Sequence, residues 1–390
     1  MRTIIFLIYV SSACFSQEVL SFEQVEILND NNKIKEKQAD ILENSWINPV
    51  LLEADLSNNK QKNSDTRIKN KKFSINIEQD IYKSGGITKT IDKAKVLKKM
   101  NTFESIKNRR ILESNIYEAV LNLNKIDLQI EKIGYFISNK NMDILKQENM
   151  YKNGLLELFV LDESIIEVAE HKNEKEDLRI AKNHFLLELK ALSNKNYKDI
   201  VLKQKNIVSF DIFMNNNINI ELDTLMYEKN ALERDITKSL FLPKISAYGV
   251  YGYEDMEKEK NDTFYSYGLK LNIPFDYNSK KERAVKNLSL KLAGKKLAVR
   301  KKDEILFYKY IKEDIKLINK KIKNSVTVLR KYENIFSTVK EMHHYSLKTI
   351  EDVNRMLNTI NINKLKIKIL RIEKKIIINK MYKKLKPFGE

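Results

Sequence analysis

The chain has 390 residues, with 71 Lys and Arg against 53 Asp and Glu, a formal net charge of +18, and 42% apolar positions. This balance is typical of a folded protein and excludes a long disordered tail. Only 9 Gly and 4 Pro occur, far below ordinary usage, which favours long helices. The single Cys excludes an intramolecular disulfide framework and a multi-cysteine zinc or iron–sulfur site.

The N-terminus has the pattern of a secretory signal peptide. Arg2, an apolar run at 4–10 and small residues beyond it predict such a signal over 1–16. Two processing routes remain open: cleavage before Gln17, or lipidation at Cys14. The residue three places before the cysteine is Ser rather than the usual Leu, which favours the first route. No later stretch approaches the ~18 consecutive apolar residues of a transmembrane helix, so any membrane segment in this chain would have to be formed by strands.

Helix breakers are confined to a few places. Neither Gly nor Pro occurs between Gly154 and Pro243, or between Gly294 and Pro387, and such stretches, rich in Leu, Ile, Glu and Lys, predict long helices. From 116 to 137 apolar residues recur at steps of three and four. This spacing indicates a narrow, coiled-coil-like seam.

The two breaker-rich islands show strand periodicity. Apolar residues alternate with polar ones over about ten positions in each island, which predicts a hairpin in each. The predicted strands cover roughly 49–60, 71–83, 243–254 and 264–276. The residues expected to share an apolar, lipid-facing side are Phe73, Ile75, Ile77, Tyr265, Tyr267 and Leu269. The residues expected on the opposite, lumen-facing side are Asn76, Glu78, Ser266 and Lys270.

The islands and the helical stretches repeat at one spacing. Three pairs of landmarks lie 194 residues apart: Pro49 and Pro243, Gln79 and Ile273, and Tyr151 and Tyr345. This predicts an internal duplication in which each half is a strand hairpin followed by a long helical hairpin. Four strands cannot close a membrane barrel, and open edges are excluded from lipid. Three copies would give twelve strands, enough to close; the alternative is a soluble hairpin packed on helices.

These residues resemble a known family, the TolC-like outer-membrane efflux proteins, or outer-membrane factors, over nearly the whole mature chain. The stretch 72–95 is similar to the family's strand ending in Gln and Gly-Gly before a long helix. The stretches 242–247 and 271–276 are similar to its second-half strand opening and ending. Tyr151, Gly154 and Leu161-Asp162 are similar to its helix-turn-helix signature.

The resemblance implies a mainly α fold with four β-strands per chain. It predicts long helical hairpins forming a coiled-coil tunnel, a trimeric twelve-stranded outer-membrane barrel, and two structural repeats at offset 194. The predicted segments are 1–16 (signal peptide), 17–48 (helix), 49–84 (first β-hairpin), 85–196 (first helical hairpin), 197–218 (equatorial connector), 219–242 (helix), 243–277 (second β-hairpin) and 278–390 (second helical hairpin).

The function implied by the resemblance is a passive duct in the outer membrane, extending into the periplasm, for tripartite efflux or type I secretion. Its implied partners are two further copies, a periplasmic adaptor protein, an inner-membrane pump and outer-membrane lipid. No enzyme motif, cofactor site or nucleic-acid role is expected. The rival interpretation is a non-conducting periplasmic coiled-coil adaptor or scaffold.

The resemblance also implies two sets of site residues. The predicted gate and adaptor-docking residues are Tyr151, Gly154, Asp162, Tyr345, Asp352 and Arg355. The predicted strand-motif residues are Pro49, Gln79, Gly85, Gly86, Pro243 and Pro274. In the second half Lys348 is expected in place of the turn glycine, and Leu357-Asn358 or Glu351-Asp352 in place of Leu161-Asp162. In a trimer, three copies of Asp352 would form a negative collar around the pore; alternatively, Asp352 caps a helix. No metal site is expected from His343 and His344, because the side chains of adjacent residues in a helix point in different directions.

Overall fold

The computed structural model describes residues 19–60, 67–256 and 262–387. The predicted signal peptide and Cys14 lie outside these ranges. Within them the chain forms seven helices and four strands, so the prediction of a mainly helical fold with four strands is confirmed. In chain order they are α1 (Phe22–Glu43), β1 (Leu51–Lys60), β2 (Arg67–Tyr82), α2 (Gly86–Lys152), α3 (Leu158–Lys190), α4 (Phe210–Asn215), α5 (Ile218–Leu240), β3 (Lys244–Met256), β4 (Asp262–Asn272), α6 (Ser279–His344) and α7 (Ile350–Tyr382).

The elements repeat, as the duplication predicted. Each half contains an antiparallel strand pair followed by one very long helix, and the two long helices have 67 and 66 residues. Each long helix is followed by a helix of 33 residues. No helix in the described ranges is long and apolar enough to cross a membrane.

The chain divides into two compact units. Of the described residues, the strand unit comprises those within Asn29–Ile106 and Ile218–Asp303, and the turn unit comprises 19–28, Lys107–Asn217 and 304–387. Each long helix therefore contributes its first part to the strand unit and its remainder to the turn unit.

The strand unit contains one antiparallel sheet in the order β1-β2-β3-β4. Its register places Ile75 opposite Leu52 and Tyr251, and Tyr251 opposite Tyr265. Because side chains alternate between faces along a strand, this register assembles the predicted apolar residues on one face and the predicted polar residues on the other. The predicted alternation is thus confirmed.

A small core and ion pairs join the helices of the strand unit. Val96 and Met100 of α2 are buried against Leu225 of α5. Lys98 of α2 binds Asp40 at 2.8 Å and Glu43 at 2.5 Å, both on α1. Hydrogen bonds to these two carboxylates raise the pKa of Lys98 to about 12, so the lysine stays charged and holds α1 on α2.

The turn unit has two apolar cores. The first is the predicted seam of α2, where Ile116, Val120 and Leu123 are buried against Leu189 of α3 and Tyr197. The second packs Phe213 of α4, residues of α6 and the C-terminal part of the chain; its buried members are Phe213, Tyr308, Ile311, Ile315, Ile378, Met381 and Leu385. Burial of these side chains fixes α2, α3, α6 and α7 in the unit that carries the helix turns.

Candidate gate at the helix turns

The first turn of the turn unit joins α2 to α3 and ends α2 with a Schellman motif. The Leu155 amide donates to the Met150 carbonyl at 2.9 Å, and the Gly154 amide donates to the Tyr151 carbonyl at 2.9 Å. Gly154 has φ +69°, the left-handed conformation that this motif requires after a helix. The glycine predicted from the sequence is therefore the residue that reverses the chain.

The second turn joins α6 to α7 with the same hydrogen bonds. The Leu347 amide donates to the Met342 carbonyl at 2.8 Å, and the Ser346 amide donates to the His343 carbonyl at 2.9 Å. Ser346 has φ +58°, so Ser346 takes the place of the turn glycine. The assignment of that place to Lys348 is wrong, because the left-handed residue is fixed by the backbone hydrogen bonds and not by the position of the tyrosine.

At the helix turns, the two halves of the repeat are offset by 192 residues and not by the predicted 194. Ser346 follows Gly154 by 192 residues, and Ile350 and Leu158, which begin α7 and α3, keep that spacing. Val353-Asn354 therefore corresponds to Leu161-Asp162, and neither predicted register of that run is correct. Tyr151 and Tyr345 do not occupy equivalent positions.

Asp352 caps the start of α7. Thr349 is the N-cap, its hydroxyl accepts from the Asp352 amide at 3.3 Å, and the Asp352 carboxylate accepts from the Thr349 amide at 3.3 Å. This is a reciprocal capping box. Lys348 lies 4.0 Å from the same carboxylate. Both contacts reduce the negative charge that Asp352 presents outward, and its role in a collar stays a prediction.

Arg355 joins the start of α7 to the end of α2. Its Nη2 lies 2.9 Å from both carboxylate oxygens of Asp143. One turn further, the Asn358 amide donates to Asn139 Oδ1 at 2.8 Å and lies 3.3 Å from the Ser138 hydroxyl. The structure thus places Arg355 in a polar contact between two helices, close to both turns in sequence. Sequence reasoning missed Asp143 and Asn139, because both lie off the apolar seam of α2 and nothing in the local pattern marks them.

A second set of polar contacts joins α2 to α3. Lys140 forms an ion pair with Glu167, and Lys182 binds Asp127 at 2.5 Å. The Tyr197 hydroxyl donates to the same aspartate at 2.7 Å. The hydrogen bond to Asp127 raises the pKa of Lys182, while burial, and then the bond to Asp127, raise the pKa of Tyr197.

The remaining predicted gate residues are exposed. Tyr151 and Asp162 lie beside the first turn, and Tyr345 lies in the second, edge-on to His344 at 5.4 Å. Several large apolar side chains around the turns are also exposed: Leu155, Leu158, Phe159, Leu347 and Ile350. Among the described residues there is no group of three or more His, Cys, Asp or Glu that could hold a metal ion.

The predicted strand-motif residues form the corners of the strand unit. The Gln79 amide donates to the Trp46 carbonyl at 2.8 Å and accepts from the Asn48 amide at 3.1 Å, which fixes the entry to β1 next to Pro49. The Ser84 hydroxyl donates to the Pro243 carbonyl at 2.7 Å. Gly85 has φ +83°.

Two further motif residues are Gly86, which begins α2, and Pro274, which lies between β4 and α6. A Cβ on Gly86 would come within 2.4 Å of the Ser239 hydroxyl oxygen, so α2 begins in close contact with α5. Pro274 follows the end of β4 and precedes α6. The strand-motif residues therefore lie where the chain changes direction between strands and helices.

Comparison with known proteins identifies the fold. No protein-family model and no curated protein matches the chain. Among solved structures, the outer membrane protein VceC from Vibrio cholerae aligns over 93% of both chains with a TM-score of 0.73 and 13% identity. The chain has the fold of TolC-like outer-membrane efflux channels. The resemblance to this family that the sequence predicted is therefore confirmed for the fold.

Two other TolC-like structures agree. The CmeC outer membrane channel of Campylobacter jejuni covers 95% of this chain and 85% of its own, with a TM-score of 0.71 and 14% identity. The open state of the MtrE outer membrane channel of Neisseria gonorrhoeae covers 92% of this chain and 85% of its own, with a TM-score of 0.64 and 11% identity.

Proposed function

We propose that this protein is the outer-membrane channel of a tripartite efflux or type I secretion system. It would act as a homotrimer that passively exports small molecules or proteins, with a periplasmic adaptor and an inner-membrane pump as partners. It catalyses no reaction under this proposal. The observation that carries the proposal is the sheet of the strand unit, whose apolar face is exposed.

The apolar face of the sheet needs a non-aqueous environment. Its exposed members include Leu52, Phe73, Ile75, Ile77, Tyr251, Tyr265, Tyr267, Leu269 and Leu271. A soluble monomer rarely exposes a contiguous apolar surface of this extent. The opposite face is polar, with Asn76 bonded to Glu53 at 2.7 Å and Asn70 bonded to Glu254 at 2.6 Å. This arrangement supports lipid on one face and water on the other.

The edges of the sheet support assembly. β1 and β4 are the outer strands, and the four strands have 10 to 16 residues, whereas about 9–11 suffice to cross a bilayer. Lipid does not tolerate unpaired strand edges. Pairing of β4 with β1 of the next copy removes both edges, and three copies give twelve strands.

The turn unit supports a gate. In the proposed mechanism, α7 separates from α2 near the turns when an adaptor binds the exposed apolar side chains there. Near the turns, the contacts between these two helices include Arg355 with Asp143 and Asn358 with Asn139. Both contacts are partly exposed, and exposed polar contacts contribute little free energy. Breaking them when α7 moves from one packed position to another therefore requires little free energy.

The membrane location is tested by one pair of substitutions on β4. Leu269 lies on the apolar face, and Ser266, three residues earlier, lies on the polar face. Leu269→Arg places a charge in lipid, which costs roughly 2–4 kcal/mol at the bilayer midplane. We expect it to abolish recovery of the protein in the outer-membrane fraction, while Ser266→Arg is recovered as the wild type is.

The same pair separates the proposal from its rival. A soluble periplasmic adaptor would tolerate both substitutions equally and would remain in the soluble fraction after lysis. Loss of both variants to the same extent would indicate a general folding defect, and circular dichroism of the purified variants identifies that case.

A further inference from the structure

A surface cavity lies where the second β-hairpin meets α6 in the strand unit. Its volume is about 390 Å³, and its walls combine aromatic, apolar, acidic and basic side chains. Phe241, Pro274, Phe275, Asp276, Tyr277 and Arg283 provide most of the lining. None of these side chains is used by the gate.

Arg283 supplies an unsatisfied donor at this cavity. Its Nε is buried and has no hydrogen-bond partner among the described residues. The guanidinium carbon lies 5.3 Å from the centroid of the Phe241 ring, which holds the plane of the group in place. A buried donor without an acceptor is unfavourable, and the planar guanidinium is shaped to bind two oxygens of a carboxylate or phosphate. Arg283 therefore offers this cavity a donor suited to an oxyanion.

From the end of β4 to the start of α6, the side chains change from apolar to aromatic to basic. This is the order of environments from the interior of a bilayer to its surface. Leu271 and Ile273 on the apolar face are followed by Phe275, 96% exposed, and Tyr277, 91% exposed. Basic residues come next at 280, 281 and 283, and Lys281 lies 5.5 Å over the Tyr277 ring. Hydrocarbon, aromatic belt and lipid phosphates occur in this order at a bilayer interface.

Asp276 adds a selective feature. It is the carboxylate in the cavity lining, and one of its oxygens accepts from the Asn278 amide at 2.7 Å. This carboxylate weakens the attraction that the neighbouring basic residues exert on a free phosphate or a purely anionic headgroup. A headgroup with both a phosphate and an ammonium group matches the site, because the phosphate meets Arg283 and the ammonium meets Asp276.

We propose that this cavity binds the phosphoethanolamine headgroup of a membrane phospholipid, with the acyl chains lying along Phe275 and the apolar sheet face. The proposal rests on the membrane location given under the proposed function. Arg283 binds the phosphate and Asp276 binds the ammonium, while Lys281 beside Tyr277 adds positive charge next to the cavity. Such a lipid would fix the depth at which the protein sits in the membrane.

Lipid titration followed by native mass spectrometry tests the site. The full chain in detergent is titrated with palmitoyl-oleoyl phosphatidylethanolamine, and in parallel with the phosphatidylglycerol of the same chains. Arg283→Gln is expected to weaken phosphatidylethanolamine binding on the order of tenfold, the loss of one charge-assisted interaction. Lys291→Gln, about two turns further along α6, is the matched control and is expected to bind as the wild type does.

Asp276→Asn gives an independent readout. It is expected to weaken phosphatidylethanolamine binding several-fold and to strengthen phosphatidylglycerol binding, so that the headgroup preference reverses. This reversal keeps the test valid if Arg283→Gln fails to fold, since a folding defect cannot raise affinity for one lipid. Arg283→Lys, which keeps the charge, is expected to recover part of the binding.

Three results would overturn the proposal. They are equal binding by wild type and Arg283→Gln, equal loss in Lys291→Gln, and displacement of the lipid by inorganic phosphate, which would assign the site to a soluble anion. Bilayer recordings on the same sample separate this failure from that of the proposed function. A protein that conducts but shows any of these results contradicts the lipid site alone, whereas a protein that never enters a bilayer contradicts the proposed function.

Discussion

Arg355 and Asp143 form the contact that most directly ties α7 to α2 near the helix turns. Arg355→Gln removes the charge on one side and leaves Asp143 without its ion pair. The side chains are 49% and 20% exposed, so the loss is about 1 kcal/mol per chain, or roughly fivefold in the equilibrium between packed and separated helices. We expect larger or more frequent openings in single-channel recordings.

A matched control for this prediction lies on the same helix. Lys364 of α7 pairs with Glu333 of α6 at 3.8 Å, so Lys364→Gln also removes one exposed ion pair, but not one to α2. It is expected to leave the openings unchanged. If Lys364→Gln raises the current as much as Arg355→Gln does, the gate does not depend on the contact between α7 and α2.

Glu233 is the residue for which the structure predicts a pH dependence of stability. It lies 3.0 Å from Lys93 and 3.2 Å from Lys286. Burial raises its pKa, but the hydrogen bonds from the two lysines lower it by more, and the net pKa is lowered. A carboxylate with a lowered folded pKa stabilises the protein above its unfolded pKa and loses that effect as the pH falls through the folded value.

Glu233→Gln should therefore lower the midpoint of thermal unfolding at pH 7. The difference from wild type should shrink once the pH falls below about 4, where the unfolded carboxyl begins to bind its proton. Glu228→Gln, on the exposed side of the same helix, is the control and should show little change at either pH. A Glu233→Gln difference that stays constant from pH 7 to pH 3 would show that the ion pairs with Lys93 and Lys286 contribute nothing.

At the scale of elements, the two helix turns use the same backbone geometry with different residues. Gly154 adopts its positive φ without a side-chain penalty, whereas Ser346 adopts it at a cost. We expect Gly154→Ala to destabilise the protein by about 1 kcal/mol, and Ser346→Gly to stabilise it by up to about 1 kcal/mol. Thermal unfolding of both variants measures this, and a loss of stability in Ser346→Gly would contradict the assignment of the second turn.

The strands and long helices were predictable because their signals are local. Alternation from Phe73 to Ile77 reports directly which side chains share a face, and the apolar seam from Ile116 to Leu123 reports the buried side of α2. The absence of Gly and Pro over long stretches leaves helix as the favoured state. These features depend on neighbours a few residues apart, so one sequence contains them.

The second turn and the contact at Arg355 were not predictable in the same way. Serine rarely adopts a positive φ, so nothing in the sequence marks Ser346, and the nearby tyrosine suggested a register that is two residues off. Arg355 and Asp143 are more than 200 residues apart, and their meeting depends on how α2 and α7 pack. A carboxylate such as Asp352 is equally compatible with a pore collar and a helix cap until the Thr349 contacts are known.

Across the whole molecule, the sheet and the turns share one property, which is exposed apolar surface. The sheet exposes an apolar face and two strand edges, and the turns expose apolar side chains. Exposed apolar surfaces of this extent mark interaction sites, and the proposed assembly with other copies, lipid and an adaptor would cover both. The fold of TolC-like channels agrees with this interpretation.

The proposed channel requires that several copies of the chain form a gated pore. Its most direct test is single-channel conductance of the detergent-purified protein in planar bilayers, with the oligomeric mass measured on the same sample. We expect a trimer that gives small currents. A monomer or dimer that never conducts would contradict the channel and favour a non-conducting periplasmic scaffold.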